Sequence, residues 1–273
     1  MKFSIITINY NNCEGLRHTI ESVVNQTCRD FEYIIIDGGS TDGSVDVIKQ
    51  YANQIDYWVS EPDGGIFAAM NKGTSHAVGD YAIYMNSGDT FFTNDILQKV
   101  SVLNYSEDIQ TGDIYYGTQF CPTVDNVTMK TFYKSTLYHQ GSFIKTELIK
   151  ELGYDEGTRG VSDWKFFMQA LVFNNATYRR LPFVVANFEP GGFTDKCKDI
   201  SRQEVKQELA KCLPPRIIID YEDYCYGLTS YKRMMNMVEA IPKLKRIIYC
   251  IDIMVLKTLN IKLRLDWIKK LKL

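Results

Sequence analysis

Three short, largely apolar runs, Phe3 to Ile8, Phe31 to Ile36 and Tyr81 to Met85, each give way to polar residues, and helical spacing recurs between the first two. A run without polar alternation is buried on both faces, which a strand achieves when helices cover both sides of its sheet. Leu16, Ile20, Val23 and Val24 mark a first helix, and Val45, Ile48 and Tyr51 a second. Turn-rich stretches at Asn11 to Gly15 and Gly38 to Gly43 separate these elements. The βαβ order predicts a mostly parallel α/β sheet with right-handed crossovers.

Further along, the pattern predicts a short strand at Asp56 to Ser60, helices at Ile66 to Ala77 and Ile96 to Leu103, and a strand at Ile114 to Thr118. A stretch rich in Thr and aromatic residues then runs to Tyr138 and suits a second substrate. Trp164 to Phe173 reads as a helix capped by Ser162 and Asp163. After residue 200 the chain becomes charged and helical, breaks at Pro214-Pro215, and ends in a basic amphipathic segment, Lys243 to Leu273. Its apolar runs are too short to span a bilayer; it suits a membrane surface, a partner, or its own domain. The expected organisation is a catalytic domain over 1–200, divided into halves 1–92 and 93–200, followed by a helical extension over 201–273.

The 273 residues carry a formal charge of −2, which gives no reason to expect nucleic acid as a partner. The seven cysteines are scattered without a C-x-x-C pair, so neither a zinc site nor a disulfide framework is indicated and a reducing cytosol is expected. Polar Asn9 to Asn12 directly after the first apolar run argues for a strand and against a signal peptide. The glycines form neither G-x-x-x-x-G-K-[ST] nor G-x-G-x-x-G, which disfavours P-loop hydrolysis and Rossmann dinucleotide binding. His18 and His76 lack acidic or cysteine neighbours at ligand spacing and read as surface or packing residues.

Three carboxylates fall at strand or helix ends: Asp37, Asp89 and Asp163. Open α/β sheets bind ligands at the carboxyl ends of their strands, so these positions point to one crevice, with Asp63 and Asn71 on adjoining elements. Asp37 offers an acceptor for a nucleobase N–H, Asp89 a hard oxygen for Mg2+ or Mn2+ beside a diphosphate, and Asp163 a general base. Read singly, Asp37 and Asp63 are also good turn formers, and Asp89 and Asp163 good helix caps. His139, beside Gln140, reads as a contact to a sugar hydroxyl or phosphate, or as a hydrogen-bonded buried imidazole.

The blocks Ser4 to Asn11, Ser22 to Thr27, Ile36 to Gly43, Glu61 to Gly73 and Asn86 to Asp89, in that order and spacing, resemble family 2 glycosyltransferases. The resemblance covers roughly the first ninety residues, then His139-Gln140 and Ser162-Asp163-Trp164; no family motif is placed in the tail. It implies a GT-A fold and transfer with inversion from a nucleotide sugar, a UDP-sugar by family habit, to a glycan or lipid-linked oligosaccharide. By resemblance Thr7, Asn9, Tyr10, Asp37, Asp63 and Asn71 line the nucleotide, Asp89 holds Mn2+ or Mg2+, Asp163 is the base, and His139, Gln140 and Trp164 lie on the acceptor side. The variant looks like glycosyltransferases of bacterial surface-polysaccharide clusters, which places the protein in the cytoplasm, with the basic tail a candidate for peripheral contact with the inner membrane face. The usual Asp-x-Asp metal motif reads Ser87-Gly88-Asp89 here. A non-catalytic nucleotide-sugar-binding protein is the alternative that this shortened motif raises.

Overall fold

A computed structural model describes residues 2–192 and 198–225. The tail from Lys243 and its membrane-surface reading lie outside the described residues. By its contacts the chain divides into Met1–Pro214 and Pro215–Leu273. The second unit is described only as a helix at Pro215–Cys225.

The first unit opens as the apolar pattern predicts: β1 Phe3–Asn9, α1 Cys13–Val24, β2 Phe31–Asp37, α2 Ser44–Gln50, β3 Tyr57–Ser60, α3 Ile66–His76 and β4 Tyr81–Tyr84. β1 is parallel to β2 and β4, and β2 to β3. Alternate residues of these strands serve opposite helical layers, which is why their runs lack polar alternation. Phe3, Ile5, Tyr33 and Ile35 join Leu16, Ile20, Val23, Val47 and Ile48 in one core. On the other face α3 lies so close that a Cβ on Gly73 would stand 2.5 Å from Ile6 Cγ2. Each fully buried Ile or Phe here contributes roughly 1.5–3 kcal/mol of hydrophobic stabilisation.

The second half adds β5 Thr90–Phe91, α4 Ile96–Leu103, β6 Ile109–Tyr116, β7 Gln119–Cys121, α5 Met129–Lys134, β8 Ser142–Lys145, α6 Thr146–Leu152, α7 Ser162–Met168 and β9 Tyr178–Phe188. The described strands form one mixed sheet in the order β3-β2-β1-β4-β8-β6-β9-β5, with β7 paired to β6. β8 sits antiparallel between β4 and β6, joining the two halves. β6 starts five residues before the predicted Ile114, because its polar centre hides it from an apolar scan. Two of those polar groups find partners inside: Thr111 Oγ1 lies 2.9 Å from Ser142 Oγ, and Asp113 accepts from the Thr123 N–H at 2.8 Å.

α7 also departs from expectation. Its N-cap is Val161, with no side-chain cap, while Ser162 and Asp163 lie inside its first turn. The predicted helix end at Phe173 is a π-helical turn, Gln169–Phe173. A final helix of this unit, α8 Lys198–Cys212, lies in the stretch that the sequence pattern assigns to the extension. α8 grips the loop before α7: Glu204 accepts from the Arg159 and Gly160 N–H groups at 2.8 and 2.9 Å. Glu208 pairs with Lys165 at 2.7 Å.

Candidate functional site

The parallel register puts Asn9, Asp37 and Ser60 side by side at the carboxyl ends of β1, β2 and β3. Asp37 is fully buried, and four donors converge on it. Oδ1 accepts from Asn9 Nδ2 at 2.7 Å and Ser40 Oγ at 2.6 Å; Oδ2 accepts from the Ser40 N–H at 2.9 Å and Ser60 Oγ at 2.6 Å. Burial pushes its pKa up, but the hydrogen bonds from Ser40, Ser60 and Asn9 outweigh it and hold the carboxyl below its usual value. Asp37 therefore organises the strand ends from within.

Beside it, Gly38 lets two side chains pack close over the backbone: a Cβ there would stand 2.9 Å from Asp63 Oδ2 and 3.2 Å from the Tyr10 ring. Tyr10 is 69% exposed, and Asp63, also exposed, is fixed by a 2.8 Å bond from the Gly65 N–H. These two present an aromatic face and an acceptor to solvent above Asp37. Thr7 does not join them, because it is fully buried with its hydroxyl 2.7 Å from Met85 O and 3.0 Å from Tyr33 Oη. Asn71 is also committed elsewhere. Its side chain bonds the N–H and carbonyl of Tyr154 and Glu156 Oε1, each at 2.8 Å, pinning the loop that leads to α7.

Asp89 lies at the turn from β4 into β5 and is 3% exposed. It caps no helix; instead its Oδ1 accepts from the Glu189 N–H at 3.0 Å. Burial raises its pKa to about 7, against the opposing pull of the Glu189 N–H, His139 and Gln140. Gly88 holds φ +103°, and the Glu189 carboxylate occupies the space a side chain at 88 would need, with Oε2 1.9 Å from the position of a Cβ. Thr19 ties the turn to α1, its hydroxyl accepting from the Gly88 N–H at 2.9 Å and donating to Asp89 O at 2.7 Å. Neither Thr19 nor Glu189 stands out in the sequence. Gly88 in place of a larger residue is the only trace of Glu189's position.

Across from this turn, Asp163 Oδ1 accepts from the N–H of Trp164 at 2.7 Å, while Oδ2 stands 3.5 Å from His139 Nδ1. Trp164 is buried, its indole N–H donating to Phe132 O at 3.0 Å, and Gln140 is 3% exposed. The buried Trp164 and Gln140 support the site from behind, whereas the Asp163 side chain keeps 21% of its surface open. His139 Nε2 lies 3.2 Å from Asn86 Nδ2, in the same turn as Asp89. Adjacent residues thus reach both carboxylates: His139 faces Asp163, and Gln140 lies near enough to Asp89 to help hold its pKa down.

The donor set suits a hard divalent cation. Asp89 and Glu189 supply carboxylate oxygens, and among the described residues no cluster of three or more His, Cys, Asp or Glu gathers to hold one. Mg2+ is commonly held by one or two carboxylates with substrate phosphates completing its shell, so such a pair is suited to a cation arriving with a diphosphate.

Residues 4–157 match the family described as Glycosyl transferase family 2. An uncharacterized glycosyltransferase of Mycobacterium tuberculosis is 34% identical over 189 residues, covering 64% of this chain and 71% of the relative. A PGL/p-HBAD biosynthesis glycosyltransferase of Mycobacterium bovis is 27% identical over 222 residues, 78% of this chain and 84% of the relative. Among solved structures, S. aureus TarS 1-349 in complex with UDP-GlcNAc superposes with TM-score 0.63 at 18% identity, covering 86% of this chain and 74% of that one. The mannosyltransferase PcManGT from Pyrobaculum calidifontis, in complex with GDP-Man and Mn2+, gives 0.61 at 17% identity, covering 93% and 80%. At these identities the structural likeness speaks for the GT-A-like fold.

Proposed function

The chain belongs to glycosyl transferase family 2, and from that premise we propose that it transfers a sugar with inversion from a nucleoside diphosphate sugar to a hydroxyl of a glycan or lipid-linked oligosaccharide. The observation that carries this reading is the pair of carboxylates, Asp89 and Asp163, approached from one turn by Gln140 and His139. Asp163 takes the proton of the acceptor hydroxyl as that oxygen bonds to the anomeric carbon. The bond from that carbon to the diphosphate breaks on the opposite face, and the electron pair leaves with the nucleoside diphosphate. Tyr10 and Asp63 bind the nucleoside from their solvent-facing side above Gly38, and the Asn9, Asp37, Ser40 and Ser60 network holds the strand ends beneath them. Asp89, with Glu189 beside it, would hold Mn2+ or Mg2+, which when bound neutralises charge developing on the departing diphosphate.

UDP-sugars are the first donors to test, although the two structural relatives carry different nucleotides, UDP-GlcNAc and GDP-Man. The M. bovis relative's part in PGL/p-HBAD biosynthesis supports an acceptor with a lipid portion and a role in the bacterial envelope. No helix among the described residues is long and apolar enough to cross a membrane. Peripheral attachment therefore rests on the basic tail, and the intact chain should bind anionic vesicles better than a version ending at Pro242.

Calorimetric titration of UDP, GDP and TDP, with and without Mn2+, tests the nucleotide site in the wild type and in Asp89→Ala. One nucleotide should bind in a metal-dependent manner and lose that dependence in the variant. Asp163→Asn should then retain nucleotide affinity while release of nucleoside diphosphate falls on the order of 10²–10⁴-fold. Wild-type turnover in Asp163→Asn would remove Asp163 from the base role. Nucleotide binding without turnover of any nucleotide sugar in the wild type would favour the non-catalytic alternative.

A further inference from the structure

We propose that His139 is a positioning residue for Asp163: it holds the carboxylate through an Nδ1–H whose tautomer Asn86 sets, and it does not contact the acceptor. The geometry stands by itself; its catalytic consequence rests on the reading of Asp163 as the base.

The imidazole is largely enclosed, with 12% of its side-chain surface exposed, and it meets the ring of Tyr84 edge-on at 6.4 Å. Its two nitrogens face different groups, Nε2 the Asn86 amide at 3.2 Å and Nδ1 the Asp163 carboxylate at 3.5 Å. A neutral ring has one proton to place. On Nε2 it would leave the Nδ1 lone pair facing a carboxylate, a repulsive arrangement of two acceptors. On Nδ1 it lies on the side of Asp163 Oδ2, and Nε2 then accepts from the Asn86 N–H. Only the second placement suits both neighbours: Nδ1 makes no hydrogen bond among the described residues, and Asp163 Oδ2 at 3.5 Å is the acceptor it faces.

The effect falls on the one carboxylate that must meet a substrate proton. Trp164 N–H occupies Asp163 Oδ1 at 2.7 Å, so an Nδ1–H that closes the 3.5 Å gap to Oδ2 would fix the second oxygen and with it the side-chain torsion. The lone pair of Oδ2 not aimed at His139 is then presented in one orientation. The arrangement uses the parts of a carboxylate–imidazole dyad with the roles exchanged, the ring orienting and the acid accepting the proton. Because Asn86 belongs to the same turn as Asp89, the ring also ties the base to the donor half of the site.

The chain has three histidines, so long-range 1H–15N correlation spectra of labelled protein give three imidazole patterns, assigned by the loss of one in His139→Asn. His139 should show the Nδ1–H tautomer in the wild type, and its Nδ1 resonance should shift in Asp163→Ala. An Nε2–H tautomer in the wild type, or an Nδ1–H pattern unmoved in Asp163→Ala, would overturn the proposal. A second comparison uses side-chain reach, since an asparagine amide sits near the place of Nδ1 and a glutamine amide near that of Nε2. In hydrolysis of the nucleotide sugar selected by calorimetry, His139→Asn should keep kcat within several-fold, and His139→Gln should lose about 10–100-fold, with nucleotide Kd unchanged in both. Equal losses in the two variants would mark His139 as merely structural and overturn the positioning role. Failure of Asp163→Asn to lower turnover would instead sink the catalytic reading, leaving the tautomer result to stand or fall separately.

Discussion

Replacing Asp37 distinguishes an internal organiser from a residue that reads the nucleobase. Its two oxygens each take two donors, so Asp37→Ala strands four hydrogen-bonding groups at once. Ser40 and Ser60 are only part-buried and recover water, whereas Asn9 is 4% exposed and does not. With hydrogen bonds to charged groups contributing about 1.5–3 kcal/mol each and solvent offsetting part of the loss, alanine should cost roughly 4–5 kcal/mol. Asp37→Asn is milder. Its NH2 fits at the Oδ1 position if the Asn9 amide flips, bringing the otherwise unpartnered Asn9 Oδ1 into use while the Ser40 hydroxyl turns. The backbone Ser40 N–H cannot turn, so it must keep the oxygen. What remains is the lost charge, about 2–3 kcal/mol, or roughly 4–12 °C in Tm for a domain of this size.

The pH dependence carries a sign that tests the same reasoning. A carboxyl whose folded pKa lies below its unfolded value contributes stability that is complete above the unfolded value and lost as pH falls through the folded one. Asp37 is such a group, with its pKa lowered from 3.8. Urea titrations followed by circular dichroism should therefore give a constant gap between wild type and Asp37→Asn from about pH 5 to 8, closing below about pH 4. A gap that widened on acidification would refute the hydrogen-bonding account. Unchanged stability with an altered preference among UDP, GDP and TDP would refute the organiser role and return Asp37 to the base pocket.

Other expectations follow from contacts that span the chain. Asn71→Ala removes three bonds to the Tyr154–Glu156 loop, so turnover should fall about tenfold or more while calorimetric nucleotide Kd stays within about twofold. Gly88→Ala meets both φ +103° and the Glu189 carboxylate, so it should cost about 1–3 kcal/mol by thermal denaturation and abolish Mn2+-dependent nucleotide binding. Glu208, whose burial is outweighed by Lys165 and Lys211, and Asp155, bonded first by Lys165, both have lowered pKa values. Their contribution is present above their usual values near 4 and lost below the lowered ones. Hydrogen exchange in α8 should consequently accelerate as pH drops below about 4, after correction for intrinsic rates, and Lys165→Met should show faster exchange already at pH 7.

What could be read from the sequence was what local periodicity encodes. β1, β2 and β4 are mostly apolar runs without polar alternation, α1 and α3 carry clear helical spacing, and the polar ends of the strands mark the crevice. β8 has four residues and β6 a polar centre, and their order in the sheet depends on pairing partners distant in the chain. No window of sequence contains those partners.

The site residues expose a different limit. Asp, Asn, Thr and His at turns look alike whether they touch a ligand or hold the loop that does, and what separates the two is whether their hydrogen-bonding capacity is spent inside the protein. Asp37 spends both oxygens on four internal donors, Asn71 both ends of its amide on a loop more than eighty residues away, and Thr7 its hydroxyl in the core. Tyr10 and Asp63 remain open to solvent, and Asp163 keeps an exposed edge. Asp89 is the exception, enclosed yet placed beside a second carboxylate that has no preference for burial of its own. Packing gives no reason to place Glu189 at this turn, since its charge adds to the burial that already raises the pKa of Asp89. A cation shared with a diphosphate would relieve that penalty on Asp89, which suits this turn to the proposed donor.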